Sequence, residues 1–360
     1  MKNNITKELY GKMPDGREVY RYTLQNKNGM RMKVLDYGGI VTELWVPDRN
    51  GIFIDVVGGY DSLQSYLDAD GFQGALVGRF ANRIKDARFM LDGREYQLEP
   101  TSDDGHQLHG GLKGFDKYIW DVKVIDGDEP TLELHILSPD GDQNYPGAFD
   151  LTVTYKLTDK NGWNIHYVAT TDKPTIANLT NHTYFNLAGY DSGSILDTEL
   201  TIDADSYVPS DSELIPTGEI RRVDGTPFDF RKAKRIGKEL GQNNKELFMS
   251  GVNVNGYDHC FNFTGRDTLG VVKRIEAYND KSGIMLEVFT DRPCVQLYTG
   301  NFLCNSLYPF KNGYEQRIHS LFCLETQCMP DSINHKNFTN CVLRPGEILD
   351  TTTEYRFSLK

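Results

Sequence analysis

The stretch 151–169 reads LTVTYKLTDKNGWNIHYVA and consists of two alternating segments on either side of an Asn-Gly pair. Apolar or aromatic residues occupy every second position of 151–157 and of 163–169, which is the period of a β-strand with one buried face. An Asn-Gly pair between two such segments is typical of a tight hairpin turn. The stretch therefore predicts two antiparallel strands joined at Asn161-Gly162.

The same pattern recurs along most of the chain. Residues 131–136 alternate in the same way, and Asp-Gly and Asn-Gly pairs, which favour tight reversals, are frequent. The best helical pattern, 231–247, is interrupted by two glycines and predicts only one or two short surface turns. No repeat or linker composition divides the sequence. We therefore predict an all-β protein, a large antiparallel β-sandwich with a few short helices, forming a single domain over 1–360.

Composition limits the partners and the location that we expect. The chain has 360 residues and a net charge of −12, and this charge argues against nucleic acid, whose phosphates it would repel. The N-terminal residues include no apolar segment, and no stretch approaches the length of a membrane span. These features predict a cytoplasmic protein with no membrane partner.

The cysteines and glycines give no sign of a metal or a cofactor. The six cysteines lie in the last third of the chain and include no C-x-x-C pair, so reduced structural thiols are the expectation. Neither a phosphate-binding glycine motif nor a serine nucleophile elbow is present. The sequence therefore predicts no metal and no cofactor.

Three polar segments combine two imidazoles with one carboxylate. His109 precedes two glycines, His182 lies within the polar run 178–186, and Glu325 lies in the otherwise apolar segment 321–325. A carboxylate is a base at pH 7, and histidine is the side chain whose proton is mobile there. The three segments predict proton transfer on a small polar molecule. His106 is an alternative candidate to His109, but no glycine pair follows it. His166 falls on the polar side of its predicted strand.

Other polar residues offer hydrogen bonds to a ligand. Asn82 and Arg83 are adjacent, and the guanidinium suits sugar hydroxyls or a carboxylate, although on this fragment alone a surface ion pair is the more ordinary use. Asp258 and Gln296 lie beside aromatic residues, and Tyr184 lies near the end of the polar run 178–186. Polar groups beside aromatic faces are suited to sugars, which present both C–H faces and hydroxyl groups.

Taken together, these segments resemble the aldose 1-epimerases, also called galactose mutarotases. The resemblance runs nearly from end to end and follows one order along the chain. One departure is Cys328-Met329, where many members carry an aromatic residue before the Pro-Asp pair. The matching segments are Asp36-Tyr37-Gly38-Gly39, 78–84 (GRFANRI), 108–116 (LHGGLKGFD), 180–187 (TNHTYFNL), Tyr257-Asp258-His259, 296–302 (QLYTGNF), Leu324-Glu325-Thr326-Gln327 with Pro330-Asp331, and the C-terminal segment 344–357.

This resemblance implies a large β-supersandwich of the galactose mutarotase type and interconversion of the α and β anomers of a free aldohexose. Glu325 would be the general base and His182 the general acid, with His109 as a third catalytic group that also binds the sugar. The sugar hydroxyls would be held by Asn82, Arg83, Tyr184, Asp258 and Gln296. The family needs no metal or organic cofactor, and we expect a monomer or a weak homodimer.

Three alternatives remain open from the sequence. A hexose-6-phosphate 1-epimerase would need additional basic residues for the phosphate. A non-catalytic sugar-binding protein would have no use for the His182–Glu325 pair. A glycosidase would use Asp258 and Glu325 as its acid and base. The sequence does not rank galactose against glucose or other aldoses.

Overall fold

A computed structural model describes residues 5–101, 104–265 and 270–360. Within these ranges, no helix combines the length and the apolar character that a bilayer crossing requires. All six cysteines are free, and every one except Cys304 is buried. Strands dominate the described chain, as the alternating sequence pattern predicts.

The largest sheet, called here the large sheet, has nine antiparallel strands. The predicted hairpin forms its third and fourth strands, and Leu157 pairs with Trp163 next to the turn. Asn161 adopts a left-handed conformation (φ 55°), which asparagine tolerates in tight turns. The order of strands across the sheet is Asp121–Ile125, Thr131–Ser138, Phe149–Leu157, Gly162–Thr171, Leu349–Leu359, Ile284–Thr290, Val272–Tyr278, Glu199–Ile202 and Lys234–Arg235.

A second sheet of six strands, called here the site sheet, carries much of the functional chemistry described below. Its strands are antiparallel, and the longest of them occupy the middle of the sheet. The order across the sheet is Tyr184–Phe185, Phe322–Gln327, Cys294–Tyr298, Asp258–Phe263, Ala204–Val208 and Arg221–Arg222.

A five-stranded N-terminal sheet and several two-stranded ladders complete the fold. The N-terminal sheet runs in sequence order through Thr6–Lys12, Glu18–Gln25, Arg31–Leu35, Val41–Pro47 and Phe53–Asp55. The ladders pair Arg83–Ile84 with Gln107–Leu108, Leu76–Val77 with Thr180–Asn181, Arg88–Leu91 with Arg94–Gln97, Thr175–Ile176 with Val342–Leu343, and Phe248–Met249 with Val254–Asn255.

Helical structure in the described ranges is short. One α-helix covers Leu63–Asp68. The region 231–247 contains a single 3₁₀ turn, Ile236–Glu239, so the prediction of short turns there is confirmed. The other 3₁₀ turns are Lys85–Ala87, Phe115–Lys117, Asp142–Asn144, Leu303–Asn305, Lys311–Gly313 and Ser332–Asn334.

The large sheet and the site sheet pack face to face. The ring of Tyr355 in the large sheet lies 5.3 Å from that of Phe185 in the site sheet, and its hydroxyl donates to Leu324 O at 2.7 Å. Trp163 also stacks on Tyr355, again with 5.3 Å between the ring centroids. Since all four residues are buried in one apolar cluster, this sandwich confirms the predicted architecture.

A buried ion pair joins the 3₁₀ turn Lys311–Gly313 to the N-terminal sheet. Lys311 Nζ lies 2.5 Å from Asp55 Oδ2 and donates to Thr42 O at 2.7 Å and to Val57 O at 2.9 Å. All three ammonium donors therefore have acceptors. Burial raises the pKa of Asp55, and the Lys311 charge counteracts that rise. Removal of the cation alone would leave a carboxylate in the core.

We predict that Lys311→Met lowers the free energy of unfolding by about 3–5 kcal/mol, the range for breaking a buried ion pair. The matched control is Lys273→Met, because Lys273 pairs with Glu276 and Glu287 in a partly exposed position, where the loss should stay below about 1 kcal/mol. Urea unfolding at neutral pH measures both values. Equal losses in the two variants would contradict the structural role of Lys311.

Candidate active site

Strand alternation in the site sheet separates the core from the pocket. Phe322 and Leu324 belong to the apolar cluster between the sheets. Cys323 and Glu325 therefore point to the opposite face, since successive side chains in a strand alternate. Glu325 pairs across the strands with Gln296. A carboxylate in an apolar segment is thus explained by a strand with one apolar face and one face at a site.

The polar run 178–186 lies against this face, but most of its side chains are structural. Asn178 Oδ1 accepts from the Cys328 N–H at 2.7 Å, Asn181 Oδ1 accepts from Thr183, and Asn186 Nδ2 donates to backbone carbonyls. The sequence prediction of a polar network is confirmed, whereas only His182 and Tyr184 of the run line the cavity.

The backbone of His182 is fixed on both sides. Its N–H donates to Ala75 O at 2.9 Å, and its carbonyl accepts from Gly74 N at 3.1 Å. The side chain is 5% exposed and contacts the ring of Tyr184, with 4.8 Å between centroids. The imidazole is therefore held by the fold before any ligand arrives.

Two loops place His109 beside Asn82. The Asn82 N–H donates to His109 Nδ1 at 3.1 Å, and the His109 N–H donates to Asn82 O at the same distance. Gly110 has a positive φ of 91°, and a Cβ there would lie 2.0 Å from Gly78 O, so the position requires glycine. The glycines after His109 thus permit the close approach of two backbones.

Arg83 follows Asn82 and reaches the same cavity. Its carbonyl accepts from the Asp331 N–H at 2.9 Å, so the Pro-Asp segment holds it in place. No ion pair to Arg83 occurs among the described residues, which argues against the surface ion pair as its use. The neighbouring Arg79 has a different environment: its guanidinium is buried and donates to the carbonyls of Pro146 and Gly147.

These elements enclose a cavity of about 310 Å³. Its size falls in the range of pockets for small molecules. Gln296 is not part of the lining: it lies beside Asp258 in the site sheet, where its Nε2 donates to Asp258 Oδ1 at 2.7 Å. The predicted site residues that do line the cavity are Asn82, Arg83, His109, His182, Tyr184, Asp258 and Glu325.

Sequence reasoning missed Phe72, which covers both histidines. Its ring stacks on His182 with 5.9 Å between centroids and lies 4.6 Å from the His109 ring. Phe72 has a left-handed backbone (φ 53°), and it lines the cavity. The only signal in the sequence was the Asp-Gly pair before it, which marks a turn and says nothing about a ligand.

The three candidate catalytic groups meet at one end of the cavity. His182 Nε2 lies 3.7 Å from Glu325 Oε1, and the rings of His109 and His182 are 5.2 Å apart, nearly perpendicular. Glu325 Oε2 is buried and has no hydrogen-bond partner in the protein. A buried acceptor without a partner is expensive unless a ligand or a proton satisfies it.

Comparisons with known proteins agree with this arrangement. The family model for aldose 1-epimerase matches residues 20–356. The chain belongs to the aldose 1-epimerase family. It is 42% identical to galactose mutarotase from Bos taurus and 41% identical to that from Homo sapiens, in each case over 99% of both proteins. The crystal structure of an aldose epimerase homologue from C. elegans superposes with a TM-score of 0.84 at 31% identity, covering 94% of this chain and 98% of that one.

Burial sets the protonation of the groups in this epimerase pocket. It raises the pKa of Glu325 well above 4.5, with a further rise from Asp258 and an opposing effect of Arg83. It also lowers the pKa of His182 from 6.5 to about 4. Burial, together with the charges of His182 and Arg83, holds the pKa of His109 well below 6.5. Each shift favours the uncharged form of its group.

The same three side chains form a donor set of the kind that binds zinc. One ligand atom from each of His109, His182 and Glu325 lies within 4.8 Å of the others. A metal-bound histidine usually donates a hydrogen bond from its other ring nitrogen. His109 Nδ1 instead accepts one from Asn82. In the neutral ring, the proton is therefore on Nε2, which can donate to a hydroxyl but offers no lone pair to a cation.

Cys328, the departure from the family pattern, lies outside this cavity. It lines a separate open cavity with Arg292, whose Nη2 is 3.2 Å from Cys328 Sγ. The substitution therefore alters the surroundings of Asn178 rather than the lining of the pocket.

We predict that His109 is protonated at Nε2 in the free enzyme at neutral pH. ¹⁵N NMR of protein labelled in the histidine rings measures this directly. The expected spectrum shows an unprotonated Nδ1 and no conversion to imidazolium near pH 6.5, because burial lowers the pKa of His109. A ring with its proton on Nδ1 would contradict the hydrogen bond from Asn82 and would restore the zinc site as an option.

Proposed function

We propose that this pocket interconverts the α and β anomers of free aldohexoses such as galactose and glucose, with Glu325 and His182 as the proton-transferring pair. The observation that carries the proposal is the buried 3.7 Å contact between His182 Nε2 and Glu325 Oε1 inside a cavity with polar and aromatic walls. Membership of the aldose 1-epimerase family supports an isomerase that acts on a sugar.

The two groups share one proton. Burial disfavours both the doubly deprotonated pair, which is negative, and the doubly protonated pair, which is positive. The singly protonated pair is neutral overall, and its proton can be on either group. Arg83 lowers the pKa of Glu325 and so favours the carboxylate–imidazolium arrangement. That arrangement supplies a base and an acid at adjacent positions.

The reaction follows from this arrangement. The Glu325 carboxylate removes the proton from the C1 hydroxyl, and the His182 imidazolium protonates the ring oxygen as the C1–O5 bond breaks. The open-chain aldehyde then rotates about C1–C2 and presents its other face. The C5 hydroxyl attacks that face, His182 takes the proton from O5, and Glu325 returns a proton to O1. The pair ends with one proton, as it began.

The remaining lining residues bind the sugar. Asp258 is half-buried and is held by Gln296, so its carboxylate can accept from sugar hydroxyls in a fixed position. His109 donates from Nε2, while Asn82 and Arg83 lie beside it. Tyr184 supplies an aromatic wall next to His182. Gln296 acts through Asp258 rather than by lining the cavity.

The lining favours this proposal over two of the alternatives. Arg83 is the only lysine or arginine among the described residues that line the cavity, whereas a hexose phosphate calls for several cations. A glycosidase would use Asp258, which also lines the cavity, as its second carboxylate, but Asp258 accepts a hydrogen bond from Gln296 and the group in contact with Glu325 is an imidazole. A cytoplasmic location, a monomer or weak homodimer, and a single domain over 1–360 remain proposals from the sequence.

We predict that micromolar protein accelerates the change of optical rotation of freshly dissolved α-D-glucose and α-D-galactose. Glu325→Gln keeps the shape of the side chain but removes its basicity, and it should lower kcat by about 10²–10⁴-fold. Glu95→Gln is the control, because Glu95 is exposed and remote from the cavity lining. Relaxation at the buffer rate with every common aldose would refute the function. A Glu325→Gln enzyme within about threefold of the parent would remove only Glu325 from the mechanism.

A second prediction separates chemistry from binding. His182→Asn removes the proton donor and should mainly lower kcat, whereas Asp258→Ala removes a contact made throughout the reaction and should raise KM at least as much as it lowers kcat. Steady-state polarimetry over a range of sugar concentrations measures both constants. Loss of kcat alone in Asp258→Ala, with loss of affinity alone in His182→Asn, would show that the two roles are reversed.

The shared proton also predicts the pH profile of kcat/KM. As pH falls, the pair gains a second proton only near the lowered pKa of His182, about 4, so activity should persist well below pH 6.5. As pH rises, activity ends when the pair loses its proton, and the raised pKa of Glu325 moves that limit upward. Rates measured after brief pH jumps test this. An acidic limb with its midpoint near 6.5 would contradict the shared-proton pair.

A further inference from the structure

Cys323 lies next to the catalytic pair and has no role in the reaction described above. It is fully buried, and it lies two residues before Glu325 on the same strand of the site sheet. Its Sγ is 3.5 Å from Nδ1 of His182. Glu325 faces the other ring nitrogen of the same imidazole. Two residues of one strand, Cys323 and Glu325, therefore lie next to the two ring nitrogens of His182.

We propose that Cys323 is a positioning residue for His182: its thiol holds the imidazole at Nδ1 and so directs Nε2 toward Glu325 and the sugar. The inference rests on the proposed acid role of His182. Cys323 itself does not reach the sugar, because it is absent from the residues that line the cavity.

A thiol is an unusual partner for the second ring nitrogen of a catalytic histidine. A carboxylate or a carbonyl at the second nitrogen orients the ring and also raises its basicity. A thiol is only a weak donor and a weak acceptor. Burial and the charges of Glu325 and Asp258 raise the pKa of Cys323, so the group is an uncharged S–H at neutral pH. Cys323 can therefore orient the ring without making it a strong base.

This combination suits a pair that shares one proton. A strong acceptor at Nδ1 would stabilise the imidazolium and hold the pair as a fixed ion pair. The other groups around the ring do not supply such an acceptor: they are the neutral His109, the aromatic rings of Phe72, Tyr184 and Tyr298, and Glu325 at Nε2. The sulfur thus leaves the proton free to move between His182 and Glu325.

The test compares Cys323→Ala with Cys294→Ala. Cys294 is equally buried on the same face of the site sheet, but its thiol contacts Asn262 and not His182. We expect Cys323→Ala to lower kcat about tenfold, because loss of orientation affects proton transfer, with KM unchanged within twofold. Cys294→Ala should leave both constants within twofold of the parent. A normal kcat in Cys323→Ala, or an equal loss in both variants, would overturn the proposal.

Cys323→Ser provides a second readout that packing alone would not change. A hydroxyl is a stronger acceptor than a thiol for the Nδ1–H of the imidazolium and should therefore raise the pKa of His182, which moves the acidic limb of the kcat/KM profile to higher pH. ¹⁵N NMR of His182 reports the same shift even where activity is lost. An unchanged limb and an unchanged ring titration would overturn the proposal. Mutarotation by the parent enzyme is measured in the same series, so failure of this inference is distinct from failure of the proposed function.

Discussion

Burial of the Glu325 carboxyl against the His182 imidazole is the constraint on which the rest of the site depends. Both side chains are at most 5% exposed, and Glu325 Oε2 has no partner in the protein. A full charge in such a place would be expensive, which supports our proposal that the two groups form a neutral pair with one proton. The same burial fits the acid–base role that we propose, because groups of perturbed pKa are suited to exchange a proton with a substrate.

The fold meets this constraint through strand alternation. The strand Phe322–Gln327 buries Phe322 and Leu324 against the large sheet and turns Cys323 and Glu325 to the pocket. Packing of the apolar side chains holds the strand in place, and the position of the strand sets that of the Glu325 carboxylate. His182 is fixed independently by backbone hydrogen bonds to Gly74 and Ala75. The distance between Glu325 and His182 is therefore set by the scaffold.

The sequence predicted the features that depend on local pattern. The hairpin around Asn161 follows from period-two alternation, and Glu325 stood out because a carboxylate in an apolar segment requires an explanation. His109 and His182 were predicted because the glycine-rich and polar segments around them resemble segments of the aldose 1-epimerase family. In each case the signal lies within a few residues of the side chain concerned.

The features that the sequence could not predict depend on tertiary neighbours. Arg79 and Arg83 are four residues apart, yet Arg79 donates hydrogen bonds to backbone carbonyls, whereas Arg83 lines the cavity. Phe72 contacts both histidines from a turn whose local signal, the Asp-Gly pair, says nothing about a ligand. Gln296 holds Asp258 by a hydrogen bond without lining the cavity itself. The packing of segments that are distant in sequence decides which side chains line the cavity. A local sequence pattern therefore cannot predict them.

The central claim, that Glu325 and His182 share one proton across neutral pH, is tested most directly by NMR of the free enzyme labelled in histidine ring nitrogens and glutamate carboxyl carbons. The titration would run from about pH 5 to pH 8, the range in which an ordinary histidine changes charge. The account predicts that the pair keeps one proton throughout, with neither group titrating in that range. A His182 that titrates near its ordinary pKa of 6.5 beside a Glu325 that stays ionised would contradict it.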